Sequence, residues 1–456
     1  MKQKRKWFDW EVARTQTEGR SLTLLSLFFP LFVEQLLMNF MGTVNTLAMG
    51  RYSDDAVAAV GAANQVISLI YTFYAVVSGG ATIVISRRLG AKKEKEASDT
   101  AFTSLVLVGM LSLIFSSLLA GLSTPLMKAL NLQGEVLSMA SNYFRICISF
   151  SFFRGIMSAA SGILRSHGKP KPAVTVSLFM NLLNAVLNVI IVFRPFEIPL
   201  YGTNGIAVAN VLSHGIAMIL IIVCLLNSGI TPVFKNKNLK TLACMGVIFK
   251  VGIPGGISSL SYSLSQVVNT SILAILGTVA LSTNVYISSL VFYVYVTGMS
   301  LGMATSILIG WMAGAKEYEK AYQLNQQVLR LAILLNLVLS IVLFVCYRPF
   351  IGLFTNNTEI IHMARGIFFI DIFVEIGRAF NHVEAFSLQG VGDVMFPMIV
   401  SITSCWLISI LFSYIFSIQL GWGLYGCWIA FMMDELFRGL IFWKRFRSRK
   451  WTSVKL

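Results

Sequence analysis

The sequence predicts an all-α membrane protein of twelve transmembrane helices, arranged as two six-helix lobes related by a pseudo-two-fold axis normal to the membrane. Three observations predict it. Of the 456 residues, 56% are hydrophobic and 12% charged, whereas a soluble domain carries about 25% charged residues. The apolar residues fall into about twelve runs, near 22–48, 57–84, 99–122, 136–163, 173–193, 204–227, 244–275, 281–311, 326–347, 359–388, 394–418 and 422–443. Each is close to the roughly 20 residues a helix needs to cross a hydrocarbon core. Finally, the chain repeats itself. Pro30 precedes the asparagine of Val44-Asn45-Thr46 by fifteen residues, and Pro254 precedes that of Val268-Asn269-Thr270 by fifteen, 224 residues later. The same offset joins Gly90-Ala91-Lys92 to Gly314-Ala315-Lys316, Arg154 to Arg378 and Gly168 to Gly392. Membrane transport proteins are often built from such internal repeats. The runs lack the alternating pattern of lipid-facing strands, which excludes a β-barrel.

The expected boundaries are a cytoplasmic amino-terminal segment (1–19), an amino-terminal lobe (20–227), a cytoplasmic linker (228–242), a carboxyl-terminal lobe (243–447) and a cytoplasmic tail (448–456). The net charge of +16 is spread along the chain in clusters that alternate with the runs, so it reads as topology and excludes a nucleic-acid surface. Basic clusters occupy the amino terminus, the stretches after runs 2, 4, 6 and 8, and the tail, while the opposite loops hold little beyond Arg51, Lys128, Arg194 and Arg348. By the positive-inside rule both termini are cytoplasmic, as an even number of crossings requires.

The first nineteen residues are basic and aromatic without the apolar core of a signal peptide. They read either as an amphipathic segment on an anionic leaflet or as a frayed tail. Run 1 carries Glu34 and Asn45 eleven residues apart, close to three turns, hence on one face. An intramembrane carboxylate costs about 2.5–3.5 kcal/mol on insertion scales. Glu34 is therefore either a coupling residue or a packing residue that stays protonated or pairs with a basic side chain. Pro30, just before it, loosens the helix. In run 2, Ser78, Gly79, Gly80 and Ala81 permit close helix packing, and the following Gly-Ala-Lys-Lys lacks the pattern of a phosphate-binding loop. Run 5 places Asn181, Asn184 and Asn188 on one face, either bonding neighbouring helices or lining a path.

Run 7 matches run 1 but has hydroxyls and amides in place of the carboxylate, among them Gln266 and Asn269. Tyr262 on run 7, with Tyr286, Tyr293 and Tyr295 on run 8, gives aromatic surface for a flat or cationic ligand, or for the lipid interface. Run 10 is the most informative. Asp371, Glu375, Arg378 and His382 fall at i, i+4, i+7 and i+11, one continuous stripe that must avoid lipid. Run 12 holds Asp434, Glu435 and Arg438, of which Asp434 and Arg438 are an i,i+4 pair that reads as structural. The six cysteines and four histidines have no metal-ligand or disulfide spacing.

The segments EQLLMNFMGTVNT, VAAVGAANQV, SRRLGAKKEKEA, GILRSHGKPKPA, ILAILGTVALSTNVY and EIGRAFNHVEAFSLQGVGDVMFPM together resemble the multidrug and toxic compound extrusion (MATE) family, bacterial branch, from about residue 20 to 451. The resemblance implies a secondary active exporter of amphipathic or cationic organic compounds by antiport with protons or sodium. Asn45 stands where similar members carry an aspartate, and Ile376 where the family tends to proline. The expected cation-coupling residues are Glu34, first, then Asp371 and Glu375. Asn45, Gln266, Asn269, Tyr262, Tyr293, Arg378 and His382 are the expected cleft or gating residues. Beyond H+ or Na+ no cofactor is expected, and no metal. The expected partners are a small organic substrate and membrane lipid, the expected state a monomer in the plasma membrane. A lipid-linked or glycan flippase of related architecture is the alternative; it would want a large cationic cavity. No nucleophile and base arrangement or metal cluster points to an enzyme.

Overall fold

The computed structural model describes residues 9, 11–17, 20–50, 53–193, 201–230 and 241–454, and side chains throughout these except at 16, 17, 20, 21, 41–50, 54, 193, 241 and 242. Asn45 therefore lies outside the described side chains, and most of the expected linker outside the described residues. The chain is almost entirely helical. The exception is a small hairpin in which β1 (Arg14–Thr17) pairs antiparallel with β2 (Arg20–Thr23). Its first strand lies within the stretch expected to be amphipathic or frayed, most of which is outside the described residues, and its second lies beyond the expected boundary at residue 19. Its anchor is local: the Leu24 N–H donates to the Ala13 carbonyl at 3.0 Å, and Ala13 and Leu22 are buried.

The long helices are α1 (Leu24–Gly50), α2 (Asp54–Gly90), α3 (Glu94–Gly121), α7 (Pro170–Phe193), α8 (Gly202–Leu226), α9 (Thr241–Ile275), α10 (Thr278–Gly314), α11 (Tyr318–Val345), α13 (Thr358–Gly390) and α16 (Gly423–Arg447). Run 4 is two helices, α5 (Gly134–Ser149) and α6 (Phe152–Ser166), bent by 46° at their junction. Short helices α4 (Ser123–Ala129) and α12 (Tyr347–Gly352) cap neighbouring spans. Run 11 is broken up as α14 (Met395–Ser404) and α15 (Leu411–Tyr414), with a π-helical stretch after each.

Among the described residues, eight helices are long and apolar enough to cross a membrane, nine with the bent α5–α6 pair as one span. Their outer surfaces are apolar: Leu182, Val186 and Val189 of α7 and Met110, Leu113 and Ile114 of α3 are more than half exposed, as lipid-facing side chains must be. This is a multi-pass membrane protein. Helices α13 and α16, 33 and 25 residues long, have the length but carry too many ionisable groups for a simple apolar span. Those groups form the candidate site.

The chain divides into two compact units, one of Met1–Phe32, Ser86–Lys92 and Ile257–Leu456, the other of Val33–Ile85 and Lys93–Gly256. In the first, α10, α11, α13 and α16 pack around Ile287, Val294, Phe368, Val374, Leu424 and Trp428. Helices α13 and α16 touch at two glycines. A Cβ on Gly377 would lie 2.8 Å from the Leu436 nitrogen, and one on Gly439 2.6 Å from the Phe380 Cβ. In the other unit, α2 and α9 meet at Gly80 and Gly252, where a Cβ on Gly80 would stand 2.6 Å from the Ile248 carbonyl oxygen. Gly80 thus has the packing role expected of it, whereas a Cβ on Gly79 would meet nothing within 4 Å.

Candidate functional site

The stripe on α13 is turned into the protein. Asp371 and Glu375 are fully buried, and Arg378 is nearly so. The Arg378 guanidinium donates from Nη1 to Glu375 Oε1 at 2.5 Å, while Asn336 of α11 donates from Nδ2 to the other carboxylate oxygen at 3.0 Å. Glu375 is thereby satisfied at both oxygens. Arg378 also lies over the rings of Tyr295 and Phe431, at 5.3 and 4.9 Å to their centroids, so its planar cation is packed rather than solvated.

A second group comes from α16. Arg438 donates from Nη2 to Asp434 Oδ2 at 2.6 Å and to Glu435 Oε1 at 2.8 Å. Asn381 of α13 holds the other Glu435 oxygen at 2.7 Å, and Ser404 holds the other Asp434 oxygen. The two glycines at the α13–α16 contact allow these side chains to interdigitate. What reads in sequence as two separate features is one network.

Its charges do not balance. Asp371, Glu375, Asp434 and Glu435 face two guanidiniums, Arg378 and Arg438. Three of the carboxylates have partners at both oxygens. Both oxygens of Asp371 are buried and have no hydrogen-bond partner among the described residues. Burying an unpaired charge is among the most expensive things a fold can do, so a neutral network calls for protons or a cation. Among the described residues, Asp371 is the member of the network whose oxygens are left without a partner.

The remaining expected site residues are placed as follows. His382 sits edge-on to Tyr295 at 5.0 Å with Nε2 buried and unpartnered. Tyr262 of α9 is within electrostatic reach of Arg378 and Glu435. Gln266 and Asn269 lie one and two turns further along α9, half-buried, and Asn269 Oδ1 lacks a partner. Tyr293 is 59% exposed and meets the edge of Phe292 rather than the network. Sequence reasoning missed Asn336 and Glu384. The second is fully buried on α13, takes one bond from Asn325 at 3.1 Å and has its other oxygen unpartnered. Thirteen residues beyond Asp371, it falls off the stripe used to find the others.

Glu34 belongs to the other unit. Arg165 of α6 donates from one nitrogen to both Glu34 oxygens, at 2.7 and 3.0 Å, with both side chains largely buried. Glu34 is thus ion-paired with a basic side chain in this structure. Of the readings open for the run 5 amides, Asn184 makes the interhelical bond, donating to Asn210 of α8 at 3.1 Å, and Asn188 donates to Asn184 at 3.0 Å.

The same unit holds a cavity of about 290 Å³ lined by Asn64, Tyr71, Tyr143, Arg154, Asn210 and His214, with apolar walls from Met38, Ile67 and Phe150. Arg154 Nη1 lies 3.1 Å from His214 Nε2, and its guanidinium is stacked over Tyr71 at 4.8 Å.

A polytopic helical fold with charge buried inside its helix bundles defines a membrane transport protein. The MatE family model matches twice, at residues 30–190 and 254–415, and its two starts are separated by the repeat offset read from the sequence. The chain is 33% identical to "Uncharacterized transporter YisQ" of Bacillus subtilis over 95% of both chains. It is 27% identical to "Probable multidrug resistance protein NorM" of Thermotoga maritima, over 94% of this chain and 92% of that one. A solved outward-facing multidrug resistance MATE family transporter superposes with a TM-score of 0.87 at 20% identity, covering 96% of this chain and 97% of that one. The chain belongs to the MatE family of multidrug and toxic compound extrusion transporters.

Proposed function

We propose that this protein is a secondary active exporter of amphipathic, often cationic, organic compounds across the plasma membrane, driven by antiport of protons or sodium. Counting α1, α13 and α16 with the nine apolar spans gives twelve crossings in two repeats, with both termini cytoplasmic. The observation that carries the coupling assignment is the charge imbalance around Asp371. Four buried carboxylates share two guanidiniums, and one carboxylate has no partner. A proton or sodium ion bound there offsets one of the network's two excess negative charges, and its release restores a more negative site that attracts a cationic substrate. Antiport follows when the two ligands exclude one another, because a ligand that prefers neither state shifts nothing. Glu34, bound at both oxygens by Arg165, and Glu375, bound by Arg378 and Asn336, must each break an ion pair before carrying a proton, so Asp371 is the better coupling site. Electrical driving force adds about 2.3 kcal/mol per elementary charge per 100 mV.

The test is export of a fluorescent lipophilic cation from proteoliposomes under a pH gradient alone and a sodium gradient alone. Wild type exports under one of the two, and Asp371→Asn under neither. Export that is independent of both gradients rejects the antiport reading.

A further inference from the structure

The repeat offset extends to the charge network. It carries Leu424-Tyr425-Gly426 onto Leu200-Tyr201-Gly202, Gly439 onto Gly215 and Tyr295 onto Tyr71, so the register holds along α8 and α16. Under it Arg378 becomes Arg154 and Arg438 becomes His214, while the four carboxylates Asp371, Glu375, Asp434 and Glu435 become Cys147, Ser151, Asn210 and Val211. The amino half keeps the stacked arginine and replaces every acid of the network.

The geometry bears this out within the amino-half cavity. Ser151, in the place of Glu375, is occupied with Tyr74 at 2.8 Å and Ser116 at 2.9 Å rather than with the arginine. The Nδ1 of His214 lies 2.8 Å from the Asn210 carbonyl. A carbonyl only accepts, so Nδ1 carries the proton, and Nε2 accepts from Arg154. His214 is neutral in this arrangement and orients the guanidinium without cancelling its charge. Among the described residues, no carboxylate lines the cavity or pairs with Arg154. Other polar groups there are already ordered: Asn210 donates to the Tyr143 hydroxyl at 3.1 Å, which donates to Asn64 Oδ1 at 3.3 Å and leaves the Asn64 amide N–H groups as donors.

We propose that this cavity is an anion site: it binds a carboxylate, sulfonate or phosphate group on Arg154, with the apolar body of the ligand against Met38, Ile67 and Phe150. An uncompensated guanidinium with a fixed orienting partner is the ordinary way a protein recognises a planar or tetrahedral oxyanion. The anion is either part of a soluble amphipathic compound or the headgroup of an anionic lipid. The assignment stands apart from the coupling role of Asp371, since it is read from binding alone.

Purified full-length protein in phosphatidylcholine nanodiscs tests it, with naphthalene-2-sulfonate as probe and the neutral naphthalene-2-sulfonamide and cationic 2-naphthylmethylammonium as comparators, by titration calorimetry. In wild type the sulfonate binds about tenfold or more tighter than either comparator, the scale of one charge-assisted hydrogen bond. Both Arg154→Gln and Asn64→Asp lower sulfonate affinity by about tenfold or more. Asn64→Asp keeps the acceptor for Tyr143 while adding a negative charge and removing the amide donors, so it decides the matter even if Arg154→Gln fails to fold. Repeating the titration with phosphatidylglycerol in the disc separates the sources: a raised apparent Kd for the sulfonate, with the lipid retained by wild type in native mass spectrometry, assigns a headgroup, and an unchanged Kd a soluble anion. Equal binding of sulfonate and sulfonamide, or sulfonate binding indifferent to both variants, overturns the proposal.

Discussion

Arg378 Nη1 lies 2.5 Å from Glu375 Oε1 on α13, and the pair is buried against Tyr295 and Phe431. Removing one member of such a pair strands the other. Glu375→Ala should therefore cost about 3–5 kcal/mol of stability, the usual consequence of an uncompensated buried charge. Thermal melting in detergent checks it, and a variant as stable as wild type contradicts the pairing.

Asp371→Asn should behave in the opposite way. Asp371 has no hydrogen-bond partner at either oxygen, so the amide removes a charge without breaking a bond. Its melting temperature is expected to equal or exceed that of wild type while gradient-driven export is lost. Loss of fold in Asp371→Asn would show that its carboxylate has a structural partner.

Glu34 and Arg165 should prove coupled to each other. Glu34→Gln and Arg165→Gln are each expected to destabilise, and the double variant to be less destabilised than the sum, with an interaction energy of about 0.5–3 kcal/mol. The pair is only partly shielded, with side chains 12% and 16% exposed, which places it toward the lower end. A double-mutant cycle of melting curves supplies the number, and strict additivity would dissolve the pair.

Helix contact should be sensitive at one set of glycines and not at another. Gly377→Ala and Gly439→Ala drive a Cβ to 2.8 Å or less from the facing helix, and overpacking of this kind costs about 1–3 kcal/mol. Gly79→Ala, with nothing within 4 Å of its Cβ, should be neutral. Monodispersity and melting temperature of the three variants make the comparison.

Much of this was legible in the sequence because the membrane simplifies the code. Apolar run length gave nine of the spans, counting the bent pair as one, and the register of Pro30 with Pro254 gave the repeat that the family model finds again. The stripe from Asp371 to His382 was readable because one helix carries all its members at helical spacing. Other parts depend on tertiary contact and leave no local trace. Nothing in the sequence around Glu34 names Arg165, 131 residues away. Likewise Asn336 reaches Glu375 from another helix, and Glu435 joins the stripe only because Gly377 and Gly439 let α16 approach α13. The hairpin at Arg14–Thr23 was missed because four-residue strands carry too little alternation to outweigh a basic, aromatic composition.

The most direct measurement is the release of the coupling ion on substrate binding, followed in detergent solution with a pH indicator and, in parallel, a sodium electrode. With the coupling site at Asp371, adding a lipophilic cation to wild type or to Glu34→Gln releases a proton or a sodium ion, and adding it to Asp371→Asn releases neither. Undiminished release from Asp371→Asn together with none from Glu34→Gln would contradict the account and place coupling at the Glu34–Arg165 pair.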